Sequence, residues 1–391
     1  MIECRGAAPR PGAPVQPGET RDVRTKLRWV LAFAGAALLL GACGLSDPTQ
    51  STFEPAGPVA QQQKDLFLGV FWVAVAVFIL VEGGIVLIMV RYRHRKDQER
   101  MPAQTHGNTR LEVGWTILPT LVLAGVMVPT VGLLWDLARD PGPDALRITV
   151  EGHQWWWNFV YTGEDMLVDY GDQPGPITVP DVMVIPEDTD VWLTLESVGG
   201  GAKDADGVTD FAVIHSFWIP ELGGKQDVVP NRTNHLLLHG SKPGTYEGNC
   251  AEFCGLQHGR MRARVVVLTA GEWDAWVEHQ KQPAVNPTDA AADRGLNIFM
   301  NGPADGVPAC VSCHSIGEIA DGPPNVAPNL THFADPTHEC FTGCTWEADD
   351  VDALRAWLRD PDAARLGSKM PDYGLTEEQI DDLVALLTIL E

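Results

Sequence analysis

The sequence predicts a multidomain membrane protein in three parts: a two-helix transmembrane hairpin, an all-β exported domain and a small all-α domain. Two apolar runs, each long enough to cross a bilayer, predict the hairpin. Short β-rich runs broken by Pro and Gly predict the second part. A helical pattern around a Cys-x-x-Cys-His motif predicts the third. The 391 residues leave room for all three, and 45% hydrophobic content suits a protein with real cores. The formal charge of −24 argues against a nucleic-acid partner, because phosphate binding needs clustered Lys and Arg. It fits either plain solubility or a basic partner steered by long-range attraction.

Residues 1–42 read as a signal peptide. Arg21, Arg24, Lys26 and Arg28 precede an apolar run from Trp29 to Leu40, too short to span comfortably but suited to a signal core. The run ends in Leu40-Gly41-Ala42-Cys43, which resembles a bacterial lipoprotein cleavage box. By that resemblance Cys43 becomes the lipidated first residue of the mature chain; an ordinary signal peptide or an uncleaved anchor is the alternative. The Pro- and Gly-rich stretch before Val23 is long for a signal n-region, so a start further downstream is expected, and Cys4 receives no function.

After an extracytoplasmic segment (43–65), residues 66–139 form the hairpin, with spans from Leu66 to Val90 and from Val113 to Leu137. Arg91, Arg93, Arg95, Lys96, Arg100 and Arg110 lie between them, whereas 44–65 has only Lys64. The positive-inside rule therefore puts the connecting loop in the cytoplasm and everything after Arg139 outside. Glu82 inside the first span is either functional or a paired structural acid. Glu112 is a favourable acid at a helix N-terminus.

Residues 140–280 carry strands at Leu146–Glu151, Val191–Leu195, His235–His239 and Arg264–Leu268, spaced as in a Greek-key sandwich or barrel. Within this domain lies Cys250-Ala-Glu-Phe-Cys254-Gly-Leu-Gln-His258-Gly-Arg-Met261, with His215 upstream. Two thiolates, two imidazoles and a thioether are a soft set suited to copper. Cys250 and Cys254 on one loop can bridge two copper ions, completed by His215, His258 and Met261. A disulfide between the two cysteines leaves the His and Met spacing unexplained, and Met is a poor zinc ligand.

From Leu66 to Leu268 the chain resembles cytochrome c oxidase subunit II. The resemblance rests on Glu112 with Trp115-Thr-Ile-Leu-Pro119, Gly152-His-Gln-Trp-Trp-Trp157, His215-Ser-Phe-Trp218, Asp227–Arg232 and the Cys250–Met261 loop. It implies a cupredoxin fold and a binuclear copper A centre on His215, Cys250, Cys254, His258, Met261 and the Glu252 carbonyl. It also implies a magnesium ion at the Glu252 side chain, at the boundary with catalytic subunit I. Trp155 matches the residue that admits electrons and Glu112 the acid at the mouth of a proton channel. A fused haem could feed the copper directly, leaving Trp155 less used. Trp156 and Trp157 read as packing residues, and His153, His235 and His239 as structural or exposed.

Residues 281–292 read as a linker and 293–391 as the third domain. Cys310-Val-Ser-Cys313-His314 is the signature of c-type haem attachment, two thiols for the porphyrin and a His for iron. Asp293–Met300, with Gly295 and Phe299, resembles the first helix of small cytochromes c, and the whole segment resembles a class I cytochrome c domain. By that resemblance the Pro328 carbonyl orients His314 and Met370 is the sixth ligand, a pairing that raises haem potential. Val351–Arg359 reads as an amphipathic helix, and a Thr376–Gln379 capping box opens another with Ile380, Leu383, Val384 and Leu387 on one face. Cys340 and Cys344 favour a disulfide in an oxidising compartment, with a metal site as the alternative.

The resemblance implies a bacterial plasma-membrane component of an oxygen-reducing, proton-translocating oxidase. A reduced cytochrome c or cytochrome bc complex would give electrons to covalent haem c, which pass through copper to subunit I among the other oxidase subunits. A copper-containing nitric oxide reductase subunit and a stand-alone electron-transfer lipoprotein are the rivals; a quinol oxidase subunit would lack the copper ligands.

Overall fold

The computed structural model describes residues 29–30, 35, 50–93, 106–169, 174–199, 212–323 and 326–391. Cys43 and nearly all of the expected signal peptide lie outside them. Thr49–Glu391 is one compact unit.

Helices α1 (Pro58–Arg91) and α2 (Thr109–Leu137) have 34 and 29 residues. Pro58 opens α1 where its missing N–H costs nothing, so the helix starts eight residues ahead of the apolar run. Asn108 caps α2, its side chain accepting from the Arg110 and Leu111 amides at 3.1 and 3.3 Å. Both helices expose apolar side chains along their length, a surface suited to lipid or partner helices. The start of α1 is stitched to the β domain. The Ala56 amide donates to the Glu221 carbonyl, the Ser241 amide donates to the Ala56 carbonyl, both at 2.8 Å, and Val59 and Ala60 are buried.

The β domain holds strands β1 (Leu146–His153), β2 (Trp156–Tyr161), β3 (Leu167–Asp169), β4 (Pro174–Pro180), β5 (Val182–Pro186), β6 (Thr189–Ser197), β7 (His215–Trp218), β8 (Lys225–Val228), β9 (Asn234–Gly240), β10 (Gly244–Asn249) and β11 (Arg262–Leu268). One sheet runs β3-β4-β2-β1-β6-β9, another β10-β11-β5, and β7 pairs with β8. β1 and β6 are parallel, as are β11 and β5, so the chain crosses between sheets. Ile148, Val150, Phe159, Leu193, Phe217 and Val265 fill the space between them. The Tyr161 hydroxyl joins the layers, donating to the Val184 carbonyl and accepting from its amide, each at 2.8 Å. Helix α3 (Ala270–Gln280) follows, opened by a Thr269–Glu272 capping box.

The last domain begins with α4 (Ala290–Asn301), capped by Asp289, so the final three residues expected as linker are already helical. A small ribbon, β12 (Cys340–Phe341) with β13 (Trp346–Glu347), precedes α5 (Val351–Arg359), α6 (Pro361–Ala364) and α7 (Glu377–Leu387). Ile380, Leu383, Val384 and Leu387 are buried together against Phe299, Leu354 and Leu358. α4 crosses α7 at Gly295, and Arg294 grips Asp382 beside the crossing at 2.9 and 2.6 Å.

Candidate metal and haem centres

The loop between β10 and β11 folds back so that its side chains converge with His215 from the start of β7. Cys250 Sγ lies 3.8 Å from Cys254 Sγ and 3.9 Å from His215 Nδ1. Cys254 Sγ lies 3.7 Å from His258 Nδ1 and 3.8 Å from Met261 Sδ. The Glu252 carbonyl sits 3.2 Å from Cys250 Sγ. His215, Cys250, Cys254 and Met261 are buried. The contact between the two sulfurs holds Cys250 well below the ordinary thiol range and lifts Cys254, so one proton is shared between two sulfurs. A cation bound here would take both sulfurs as thiolates in place of that proton. Two thiols, two imidazoles and a thioether converging on one spot, all but His258 buried, fit copper. The Glu252 carboxylate accepts from the Phe253 amide at 3.0 Å.

In the last domain, Cys310, Cys313, His314 and Met370 line one cavity with Phe299, Leu354, Leu358, Leu383 and Tyr373. The His314 Nδ1–H donates to the Pro328 carbonyl at 2.8 Å, leaving Nε2 as the free lone pair. Burial holds the His314 ring below the usual histidine range, keeping it neutral, and pushes the Cys310 thiol up to about 11. A hydrophobic slot lined by paired thiols, one neutral imidazole and a thioether fits a haem.

The same cavity is closed on its far side by the β domain, through His153, Gln154, Trp155 and Trp156. The Trp155 indole N–H and the Gln154 amide donate to the Cys254 carbonyl at 3.1 and 2.7 Å. Lys369, beside Met370, donates to Gln154 Oε1 at 2.9 Å and stands 5.8 Å from the Trp155 ring centre. Trp155 is thus wedged between the haem cavity and a cysteine of the sulfur pair. Trp157 is fully buried against His215 and Phe217. His153 is buried too, stacked on Trp156 with ring centres 4.1 Å apart. His235 stacks on Trp192 and His239 pairs with Asp190.

Glu112 stands in the first turn of α2, far along the chain from either centre. The sulfurs of Cys340 and Cys344 are bonded. Two buried charges between the domains were missed in the sequence. Asp181 and Arg365 are each 2% exposed. Burial pushes the Asp181 carboxyl up to about 6, against the pull of the Gly343 and Trp157 amides and of Arg365. Burial likewise lowers Arg365, to about 10.

Comparison with known proteins matches residues 146–269 to the periplasmic domain of cytochrome c oxidase subunit II, 46–133 to its transmembrane domain and 292–390 to cytochrome c. The chain is similar to cytochrome c oxidase subunit 2 of Alkalihalophilus pseudofirmus, 33% identical over 360 residues, 90% of this chain and 94% of that one. Identity to the same subunit of Bacillus sp. strain PS3 is 34% over 380 residues, 92% and 96% of the two chains. For Bacillus subtilis it is 31% over 361 residues, 88% and 91%.

Proposed function

This chain belongs to the cytochrome c oxidase subunit II family, and from that premise we propose how its residues carry electrons. It is an oxidoreductase component, the copper A and haem subunit of a haem–copper oxidase, held in the membrane by α1 and α2. The oxygen-reducing site belongs to a separate subunit.

His215, Cys250, Cys254, His258 and Met261, with the Glu252 carbonyl, would hold the copper pair. Cys310 and Cys313 would bond the haem covalently, with His314 and Met370 on its iron. When bound, these groups supply one-electron redox chemistry. Pro328 fixes the His314 tautomer, the apolar wall excludes water, and Gln154 and Trp155 hold the Cys254 carbonyl still. The observation that carries the reading is Trp155, which lines the haem cavity and bonds the backbone of Cys254. We read it as the bridge between the two centres, reached from a reduced cytochrome c or a cytochrome bc complex through the haem domain.

Further assignments go with this reading: both redox domains outside a bacterial plasma membrane, Glu112 at a proton channel, the Glu252 side chain toward a magnesium ion at subunit I, and Cys43 as the lipid anchor. The test is to tag the chain, purify the complex it brings from the membrane, and measure oxygen uptake with a reduced donor. Sustained uptake, slowed in Trp155→Ala, is the expected result. A haem-loaded complex that consumes nitric oxide but not oxygen would overturn the assignment of the acceptor.

A further inference from the structure

We propose that the disulfide-closed loop Cys340–Cys344 is a docking plug: seated on Asp181 and locked by Arg365, it positions the haem cavity against Trp155. The proposal rests on the reading that electrons pass from the haem site to the copper site.

Four observations carry it. First, the loop leaves its own domain. Cys340 and Cys344 are packed in the hydrophobic core of the copper domain, whereas the intervening strand residue Phe341 belongs to the core of the haem domain. Second, the tip is read by backbone and carboxylate. The Gly343 amide donates to Asp181 Oδ2 at 2.7 Å, and the Arg262 amide donates to the Gly343 carbonyl at 3.0 Å. Asp181 Oδ1 meanwhile accepts from the Trp157 amide at 3.1 Å, so one carboxylate spans both domains.

Third, the plug is held in an uncommon shape. Thr342, Gly343 and Cys344 have φ of 52°, 62° and 48°, and Asp181 opposite them has 60°. A β-branched residue in the left-handed region is an outlier that persists only where surrounding contacts impose it. Fourth, one buried guanidinium gathers the parts. Arg365 donates to the Thr342 carbonyl in the plug, to the Arg260 carbonyl at 3.1 Å in the copper loop and to the Trp155 carbonyl at 3.4 Å. Loosening the tip without admitting water would leave the Asp181 carboxylate and the Arg365 guanidinium buried without their partners, so a partly undocked state is disfavoured.

A surface layer surrounds the plug. Arg264 forks onto Glu347 at 2.6 and 2.7 Å, and the Thr245 hydroxyl donates to Glu339 at 2.9 Å. These exposed contacts close the rim. Register comes from the buried tip together with Arg365, which sit against the Trp155 backbone. Asp181, Gly343 and Arg365 are positioning residues: none lies on a metal ligand, and all act through the placement of Trp155.

The test uses the full chain in its purified complex. In Gly343→Ala the new Cβ would meet the Trp155 carbonyl at 2.7 Å, in a backbone conformation that already disfavours a side chain. In Asp181→Asn the amide keeps an acceptor for Trp157 and tolerates the left-handed backbone, but presents a donor to the Gly343 N–H. Two quantities are read: amide hydrogen exchange over 339–347, and the rate at which an electron placed on the haem by flash reduction reaches the copper. With haem and copper contents matched to the parent, both variants are expected to speed exchange and slow transfer by about tenfold or more, as small misplacements of reacting groups do. Should Gly343→Ala lose its haem, Asp181→Asn decides alone. Parental transfer together with faster exchange would overturn the proposal, as would unchanged exchange. A parent that shows no haem-to-copper transfer would instead overturn the electron route beneath it.

Discussion

Replacing Gly295 with Ala tests the crossing of α4 and α7 that builds the haem slot. A Cβ there would meet the backbone of Asp382, with the carbonyl carbon 2.8 Å away and Leu386 Cβ at 3.0 Å. Two effects oppose each other. Ala is the better helix former by about 0.8–1.0 kcal/mol. Against that, the obstructing atoms are backbone and cannot swing aside, so α7 must move as a body. Overpacking of this kind costs about 1–3 kcal/mol, occasionally more. The upper end applies here, because sliding α7 also loosens the Arg294–Asp382 fork, whose carboxylate side chain is only 6% exposed. The net is a loss of about 1–2 kcal/mol. For a domain of roughly a hundred residues this lowers the midpoint by on the order of 10 °C. The assay is thermal melting of the purified full-length protein, followed by the absorbance of its haem. An Ala variant that melts at or above the parent would refute the reasoning.

Four other outcomes are expected. Asp181 is raised from 3.8 to about 6 in the folded state, so its contribution is full below pH 3.8 and lost as pH rises through 6, by up to about 3 kcal/mol. Arg365 is the charge that faces it and opposes the shift. The difference in unfolding free energy between parent and Asp181→Asn, followed across that window, should therefore slope; a flat difference would contradict the burial argument. Cys254→Ser should strip copper while leaving haem content unchanged, and parental copper by atomic absorption would remove Cys254 from the ligand set. Met370→Leu should keep the haem attached but lower its midpoint potential, since a Met ligand raises it; an unchanged potentiometric midpoint would place the sixth ligand elsewhere. Arg264→Ala should cost only about 1 kcal/mol or less in denaturant titrations, because Glu347 is mostly exposed; a loss several times larger would mean the rim holds the domains.

The centres were legible because their ligands sit close together in the chain. Cys250 to Met261 is one loop and Cys310 to His314 is one turn, so spacing points to the chemistry of these stretches, whereas Met370 and the Glu252 carbonyl came only with the family resemblance. The long spans and the β1, β6, β9 and β11 strands showed through hydrophobic pattern. Others did not: β7 has four residues, too few to show alternation, and Val182–Ile185 is apolar on both faces because it is buried on both. Helix α3 carried a readable signal in Thr269 and Glu272 that the strand-rich surroundings masked. Asp181 and Arg365 carried none. A lone Asp after Pro and a lone Arg after two alanines look like surface residues, and their burial depends on a contact between segments 162 positions apart at Gly343. Contacts of that range are written in the docking of two folded bodies, which no local window contains.

The length of α1 has a mechanical meaning. At 1.5 Å per residue its 34 residues reach about 51 Å, well beyond a hydrocarbon core of about 30 Å. Because Ala56, Val59 and Ala60 are locked into the β domain, the surplus is a rigid mast. The helix therefore fixes both the height and the compass heading of the copper loop above the bilayer. One residue inserted in the mast would lift the redox domains by only about 1.5 Å but swing them through about 100°, enough to turn the loop away from whatever subunit it faces.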